Sequence, residues 1–212
     1  MGVNSGNIKG LYAIIDTAYV APEGMRMMAE KIIKGGAGIL QLRSKGLSSR
    51  EMLDTAWALR EVTLKNGVIF IINDRADIAA LVQADGVHLG QDDLPAADAR
   101  KLLGEGSIIG VSTHNKEEAA ACAHADYISF GPVFPTKTKK DAQAPKGLSG
   151  LKEVRGATPL PIVAIGGITE ENIGSVIAAG ADSAAIISDI LLSGDVPSKV
   201  ASIIRVADKR KI

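Results

Sequence analysis

Asp74 ends the run "VIFIIND" and Asp93 ends "GVHLGQDD". Each stands just past a short apolar stretch of strand length, and adjacent strands lie roughly 4.8 Å apart. Two carboxylates placed in this way can approach each other, and unpaired they repel. A Mg2+ ion held by one or two carboxylates and by phosphate oxygens removes that repulsion. A single Asp where a strand gives way to a helix reads equally well as a helix N-cap, and Asp92 fits that role. Asp74 together with Asp93 fits the metal better, because cations accompany them. In "ILQLRSK" the alternation of a strand puts Leu40 and Leu42 on one face and Gln41 and Arg43 on the other. A buried arginine needs an anion, either an internal carboxylate or a ligand. Lys45, just beyond, adds a second cation and favours the ligand.

A second group of residues has a different chemistry. The segment "GPVFPTKTKKDAQAPKG", residues 131–147, places Thr136, Thr138 and Lys139 in one irregular loop. A loop of that length in a compact domain is commonly a lid. The pair Gly166–Gly167 in "PIVAIGGI" lets the backbone approach an anion and turn an amide toward it. Ser188 in "IISDI" adds a hydroxyl. The first group, carboxylates with Arg and Lys, suits a metal-supported diphosphate. The second, amides and hydroxyls without a metal, suits a monophosphate, with Thr136 and Thr138 serving it and Lys139 suiting the diphosphate. The histidines add little to either: His88 falls mid-strand, His114 after the fifth strand and His124 in a helix. Trp57 is expected in the core. No Ser-His-Asp pattern, zinc spacing or nucleophile motif is present.

These residues need elements to hold them. Apolar runs recur at 10–16, 38–43, 68–73, 86–90, 107–112, 127–134, 161–168 and 183–190, separated by Ala-, Glu- and Lys-rich stretches. Leu53, Trp57 and Leu64 recur at helical spacing. Gly35, Gly67 and Gly180 stand where helices end. Continuous apolar strands alternating with helices imply a parallel sheet covered by helices. Eight such units in 212 residues predict a single-domain (βα)8 TIM barrel over residues 1–212, with the site at the C-terminal ends of the strands. A doubly wound open sheet is the competing arrangement, but no glycine-rich nucleotide motif follows the first strand.

Composition narrows the function. With 46% hydrophobic and 23% charged residues the chain reads as a soluble globular protein, and its zero net charge offers no global field to attract nucleic acid or an anionic membrane. Anion recognition must therefore be local. One cysteine, Cys122, cannot form an internal disulfide, and no apolar run approaches the ~18 residues of a membrane span. A cytoplasmic enzyme is expected, with small phosphorylated molecules as partners and a homodimer left open.

"QLRSK", "IIND", "ADGVHLGQDD", "GVSTH", "GPVFPTKTKK", "PIVAIGGI" and "IIS" occur in that order between about residues 10 and 190. In order and spacing they resemble the thiamine phosphate synthase family. The resemblance implies a (βα)8 transferase of thiamine biosynthesis. It would join 4-amino-2-methyl-5-hydroxymethylpyrimidine diphosphate to a thiazole phosphate, releasing pyrophosphate with the help of Mg2+. It implies that Gln41, Arg43, Lys45, Asn73, Ser112 and Lys139 hold the pyrimidine diphosphate, with Arg43, Lys45, Ser112 and Lys139 serving the chemistry. It further implies that Asp74 and Asp93 bind the metal, and that Thr136, Thr138, Gly167, Ile187 and Ser188 hold the thiazole phosphate. The alternatives are another phosphate-binding barrel or the thiazole tautomerase relatives. The latter are expected to lack the second aspartate and to carry histidine where this chain has Pro132. Two departures from the family's pattern are "PKG" at 145–147 and Asp189 after Ser188.

Overall fold

The computed structural model describes residues 8–136 and 144–209. Eight apolar runs become parallel strands: β1 (Gly10–Asp16), β2 (Ile39–Arg43), β3 (Ile69–Asn73), β4 (Gly86–Leu89), β5 (Ile108–Thr113), β6 (Tyr127–Phe130), β7 (Ile162–Ile165) and β8 (Ser183–Ile186). They pair in chain order and close, β8 returning to β1 with Gly10 opposite Ser183. Helices α1 (Pro22–Lys34), α2 (Ser49–Asn66), α3 (Ala76–Leu81), α4 (Ala96–Leu103), α5 (Lys116–Ala120), α6 (Gly147–Ala157) and α7 (Ile173–Ala178) connect successive strands. A short α8 (Ser188–Leu191) and α9 (Val196–Asp208) follow β8. No described helix is long and apolar enough to cross a membrane.

Alternation along the strands separates two cores. Leu40, Leu42, Phe70, Ile72, Val87 and Ile109 pack outward against the helices, whereas Tyr12, Ile14, Ile39, Ile71, Ile108, Tyr127, Val163 and Ala185 fill the barrel. The inward positions change character along the axis. From the start of each strand, β2 reads Ile39, Gln41, Arg43; β3 reads Ile71, Asn73; β5 reads Ile108, Gly110, Ser112; β6 reads Tyr127, Ser129. The floor is apolar and the mouth polar, so burial stabilises one end while the other faces a ligand.

The N-terminal end of the barrel is held by a repeated clamp. The dipeptide Ala-Asp precedes β4, β6 and β8, at Asp85, Asp126 and Asp182. Each Asp accepts from a backbone N–H of the preceding strand and from an arginine of a helix. Asp85 Oδ2 accepts from Phe70 N at 2.8 Å and Arg60 Nη1 at 2.9 Å. Asp126 Oδ2 accepts from Ile109 N at 2.7 Å and Arg100 Nη2 at 2.6 Å. Asp182 Oδ2 accepts from Ile162 N at 2.9 Å and Arg155 Nη1 at 3.0 Å. Three helices, α2, α4 and α6, are thereby pinned to the floor, far from the mouth where the site must form.

Several expectations need correction. The sixth run leaves strand geometry at Gly131, although Val133 N and Phe134 N still donate to Ile165 O and Gly166 O at 2.9 and 3.0 Å. The eighth strand ends at Ile186, and Ser188 begins α8. Asp92 caps no helix, because the N-cap of α4 is Pro95. His124 lies in a turn after α5, not in a helix. Trp57 is 49% exposed and Leu64 66% exposed. The buried stripe of α2 runs through Met52, Ala56, Leu59 and Thr63. Trp57, about 100° further round the helix than Ala56, falls on the outer flank.

Candidate active site

At the mouth, the inward polar positions and the loops beyond them line a cavity of about 540 Å³. Gln41, Arg43, Asn73, Ser112, Thr136, Gly167, Ile187 and Ser188 all line it. Lys45, Asp74 and Asp93 follow the ends of β2, β3 and β4 and are not among the residues that line it. Thr138 and Lys139 lie outside the described residues.

On the β2–β4 side, Arg43 is nearly buried. Its Nη1 contacts Asp16 Oδ2 in a short charge-assisted hydrogen bond. Asp16 closes β1, opposite Arg43 in the register. It is 1% exposed and also accepts from Ala18 N at 2.9 Å. The anion that Arg43 requires is therefore an internal carboxylate. The internal salt bridge is one of the two partners that the sequence allowed, and the side chain also lines the cavity. Sequence reasoning passed over Asp16, whose signal was the same as that of Asp74 and Asp93: a carboxylate ending an apolar strand.

Lys45 Nζ donates to Asp74 Oδ2 at 2.6 Å. Asp74 stands at φ +64°, a left-handed conformation rare outside glycine, and its N–H donates to His88 O at 2.8 Å. Such backbone strain is typically retained at functional sites. Asp93 accepts from Gly90 N at 2.7 Å, which holds its carboxylate against the end of β4. Burial pushes the Asp93 carboxyl above its ordinary range and the neighbouring Asp74 carboxyl raises it further, whereas the Gly90 amide and Lys45 pull it down. Two carboxylates thus lie side by side with one lysine as counter-charge. That set fits a divalent cation whose remaining ligands are water or phosphate oxygens. Among the described residues no group of three or more His, Cys, Asp and Glu could enclose a metal by itself.

On the β6–β8 side, Gly166 and Gly167 turn the chain at φ +97° and +61°. A Cβ on Gly166 would lie 2.5 Å from Pro132 Cβ, and one on Gly167 2.5 Å from Pro135 O. Both positions thus need glycine for conformation and for space. Asn172 Nδ2 donates to Gly167 O at 3.0 Å and fixes this turn beside Thr136 and Ser188. Asp189 points elsewhere: it accepts from Glu170 N at 2.9 Å and pairs with Lys199 at 3.1 Å, tying α8 to α9. The departure at Asp189 is structural.

The thiamine monophosphate synthase family model matches residues 11–190. A thiamine-phosphate synthase of Chloroflexus aurantiacus is 46% identical over 188 residues, covering 88% of this chain and 87% of the relative. The chain belongs to the thiamine monophosphate synthase family. A second thiamine-phosphate synthase, from Clostridium novyi, is 47% identical over 188 residues, covering 88% of this chain and 92% of that protein. The solved structure of a thiamine phosphate pyrophosphorylase from Pyrococcus furiosus superposes with a TM-score of 0.88 at 34% identity, covering 99% of this chain and 100% of that one. With the family in view, the cavity also holds residues that sequence reasoning set aside. His88, read only as a mid-strand residue, lines the cavity with Tyr12, Tyr127 and Ser129. Their signal was inward parity on β1, β4 and β6, strands from which no site residue had been chosen.

Proposed function

We propose that this chain is a thiamine-phosphate synthase, a transferase that joins 4-amino-2-methyl-5-hydroxymethylpyrimidine diphosphate to hydroxyethylthiazole phosphate. The observation that carries this reading is the cavity itself, in a chain of this family. Gln41, Arg43, Asn73 and Ser112 line it together with Thr136, Gly166, Gly167 and Ser188, and the Asp74–Asp93 pair stands just beyond the ends of β3 and β4, which supports two different phosphorylated substrates. In the reaction the thiazole nitrogen bonds to the exocyclic methylene carbon while that carbon's bond to the diphosphate oxygen breaks. The bonding electrons leave with pyrophosphate. A carbon attached to an electron-rich aminopyrimidine can release the diphosphate before the new bond forms.

The residues divide this work. Asp74 and Asp93 would hold Mg2+, which when bound supplies positive charge against the diphosphate. Lys45 and Arg43 would add cationic donors where negative charge develops, and Lys139, outside the described residues, would serve the same charge. Gln41, Asn73 and Ser112 orient the pyrimidine. Thr136, Thr138, the Gly167 amide, Ile187 and Ser188 hold the thiazole phosphate. The thiazole nitrogen attacks with its own neutral lone pair, so no side chain need remove a proton. The tautomerase reading is disfavoured by Pro132 and by the presence of both aspartates. A cytoplasmic location and a homodimer remain part of this proposal.

The test is product analysis after mixing the protein with both phosphorylated substrates and Mg2+. Formation of thiamine phosphate and pyrophosphate is expected, and their absence overturns the reading. Ser188→Ala provides a finer check. It should raise KM for the thiazole phosphate by the ~1–3 kcal/mol of a hydrogen bond to a charged group, with little change for the pyrimidine diphosphate. An equal rise for both substrates would mean that Ser188 does not belong to the monophosphate side.

A further inference from the structure

Below the cavity a line of hydrogen bonds crosses the barrel. Gln41 Nε2 donates to Tyr12 Oη at 2.8 Å. Tyr12 Oη meets Tyr127 Oη at 2.9 Å, and Tyr127 Oη meets His88 Nδ1 at 2.9 Å. His88 Nε2 meets Ser112 Oγ at 3.0 Å and Ser129 Oγ at 3.2 Å. The ends of this line, Gln41 and Ser112, are two of the three residues expected to orient the pyrimidine. None of the three residues between them is needed by the bond-forming step described above.

Each phenol has one proton, so the line has a direction. Tyr12 accepts from Gln41, and its own proton goes to Tyr127. Tyr127 then gives its proton to His88 Nδ1. With Nδ1 accepting, the imidazole proton sits on Nε2 and is donated to Ser112 Oγ. Ser129 Oγ also donates to Ser112 Oγ, at 3.4 Å. Ser112 is then supplied with two donors, and its own proton turns into the cavity. At the other end, Gln41 commits one of its two amide N–H bonds to Tyr12, which sets the orientation of the amide and hence of its carbonyl Oε1. Burial pushes both phenols well above their ordinary range, which keeps them protonated as this order requires.

The fold makes room for the line. A Cβ on Gly110 would lie 2.1 Å from Tyr127 Cζ, 2.4 Å from its Oη and 2.5 Å from His88 Nδ1. The backbone of β5 thus yields the volume in which the phenol and imidazole meet. The two rings stack, with centroids 5.4 Å apart and planes inclined by 27°.

We propose that Tyr12, Tyr127 and His88 are positioning residues that fix Gln41 as an acceptor and Ser112 as a donor, and so select a 4-aminopyrimidine over its 4-oxo counterpart. This rests on the synthase reading. The amino compound offers N–H donors at C4 and an acceptor at the adjacent ring nitrogen. The oxo compound reverses both, so each fixed group would face its own kind. A site built to pair a substrate's polar groups rejects an analogue that leaves them unpaired far more strongly than shape alone does.

The experiment measures dissociation constants of the 4-amino and 4-oxo pyrimidine diphosphates in Mg2+ buffer, without thiazole phosphate, so that reactivity does not enter. The wild-type protein should prefer the amino compound by at least about 100-fold. Tyr127→Phe removes the donor to His88 Nδ1 and frees the tautomer, and Tyr12→Phe frees the Gln41 amide. Each should cut the preference at least about tenfold, while KM for the thiazole phosphate stays within about twofold. An unchanged preference in a folded single variant, or equal weakening of both pyrimidines, would overturn the proposal. Should Tyr127→Phe fail to fold, Tyr12→Phe and the wild-type preference still decide it. Thiamine phosphate formation by the wild-type protein is scored separately, so failure of the relay and failure of the synthase reading are distinguishable.

Discussion

Asp93→Ala is expected to lower turnover at least ~100-fold, the scale on which a major charge-stabilising group is removed from an active site. The side chain accepts one backbone N–H, at Gly90, and lies beside Asp74. Its removal should therefore leave the barrel folded, with little change in Tm. The partly buried carboxyl is already pushed up by burial and by Asp74, so the pair accepts a divalent cation more readily than it remains doubly ionised without one. Chelation with EDTA should accordingly abolish activity in the wild-type protein, and excess Mg2+ should restore it. Retained turnover in EDTA or in the Asp93→Ala variant would remove the carboxylate pair from the site.

Asp16→Ala should have the largest effect on stability. Asp16 is 1% exposed, and the side chain of its partner Arg43 is 10% exposed. Removing one member of a buried ion pair leaves an uncompensated charge, typically costing about 3–5 kcal/mol. At roughly 2–4 °C per kcal/mol for a chain of this size, Tm should fall by about 6–20 °C. Replacing both partners, as in Asp16→Leu with Arg43→Met, should recover much of the lost stability. If Arg43 also serves the diphosphate, that stable double variant should remain poorly active. A melting temperature unchanged in the single variant would mean that the pair is solvated. Full activity in the double variant would limit Arg43 to a structural role.

The sequence alone determined the architecture and the composition of the mouth. Apolar runs of strand length, each followed by a helical stretch, have few ways to bury both faces of every strand, and a closed parallel barrel is one of them. Once the barrel is accepted, strict alternation decides which side chains point inward. Gln41 and Arg43 could therefore be assigned to one cavity from the sequence pattern, whereas Asn73 and Ser112 followed from the family resemblance. Helix phase was harder to read, as Trp57 shows. The step per residue is 100° rather than 180°, and an apolar residue beside the buried stripe resembles one within it.

Pairing across the barrel was decided only by the tertiary structure. Asp16 and Arg43 meet because β1 and β2 take one register among several that burial would allow. The line from Gln41 through Tyr12, Tyr127 and His88 to Ser112 joins five strands separated by up to 115 positions along the chain in a single contact. No local spacing encodes such a contact. It exists because closure of the sheet brings distant inward residues to one level of the barrel, and because Gly110 leaves that level the space to hold them. Residue type announced which groups could do chemistry. The closed sheet decided which of them would hold one another in place.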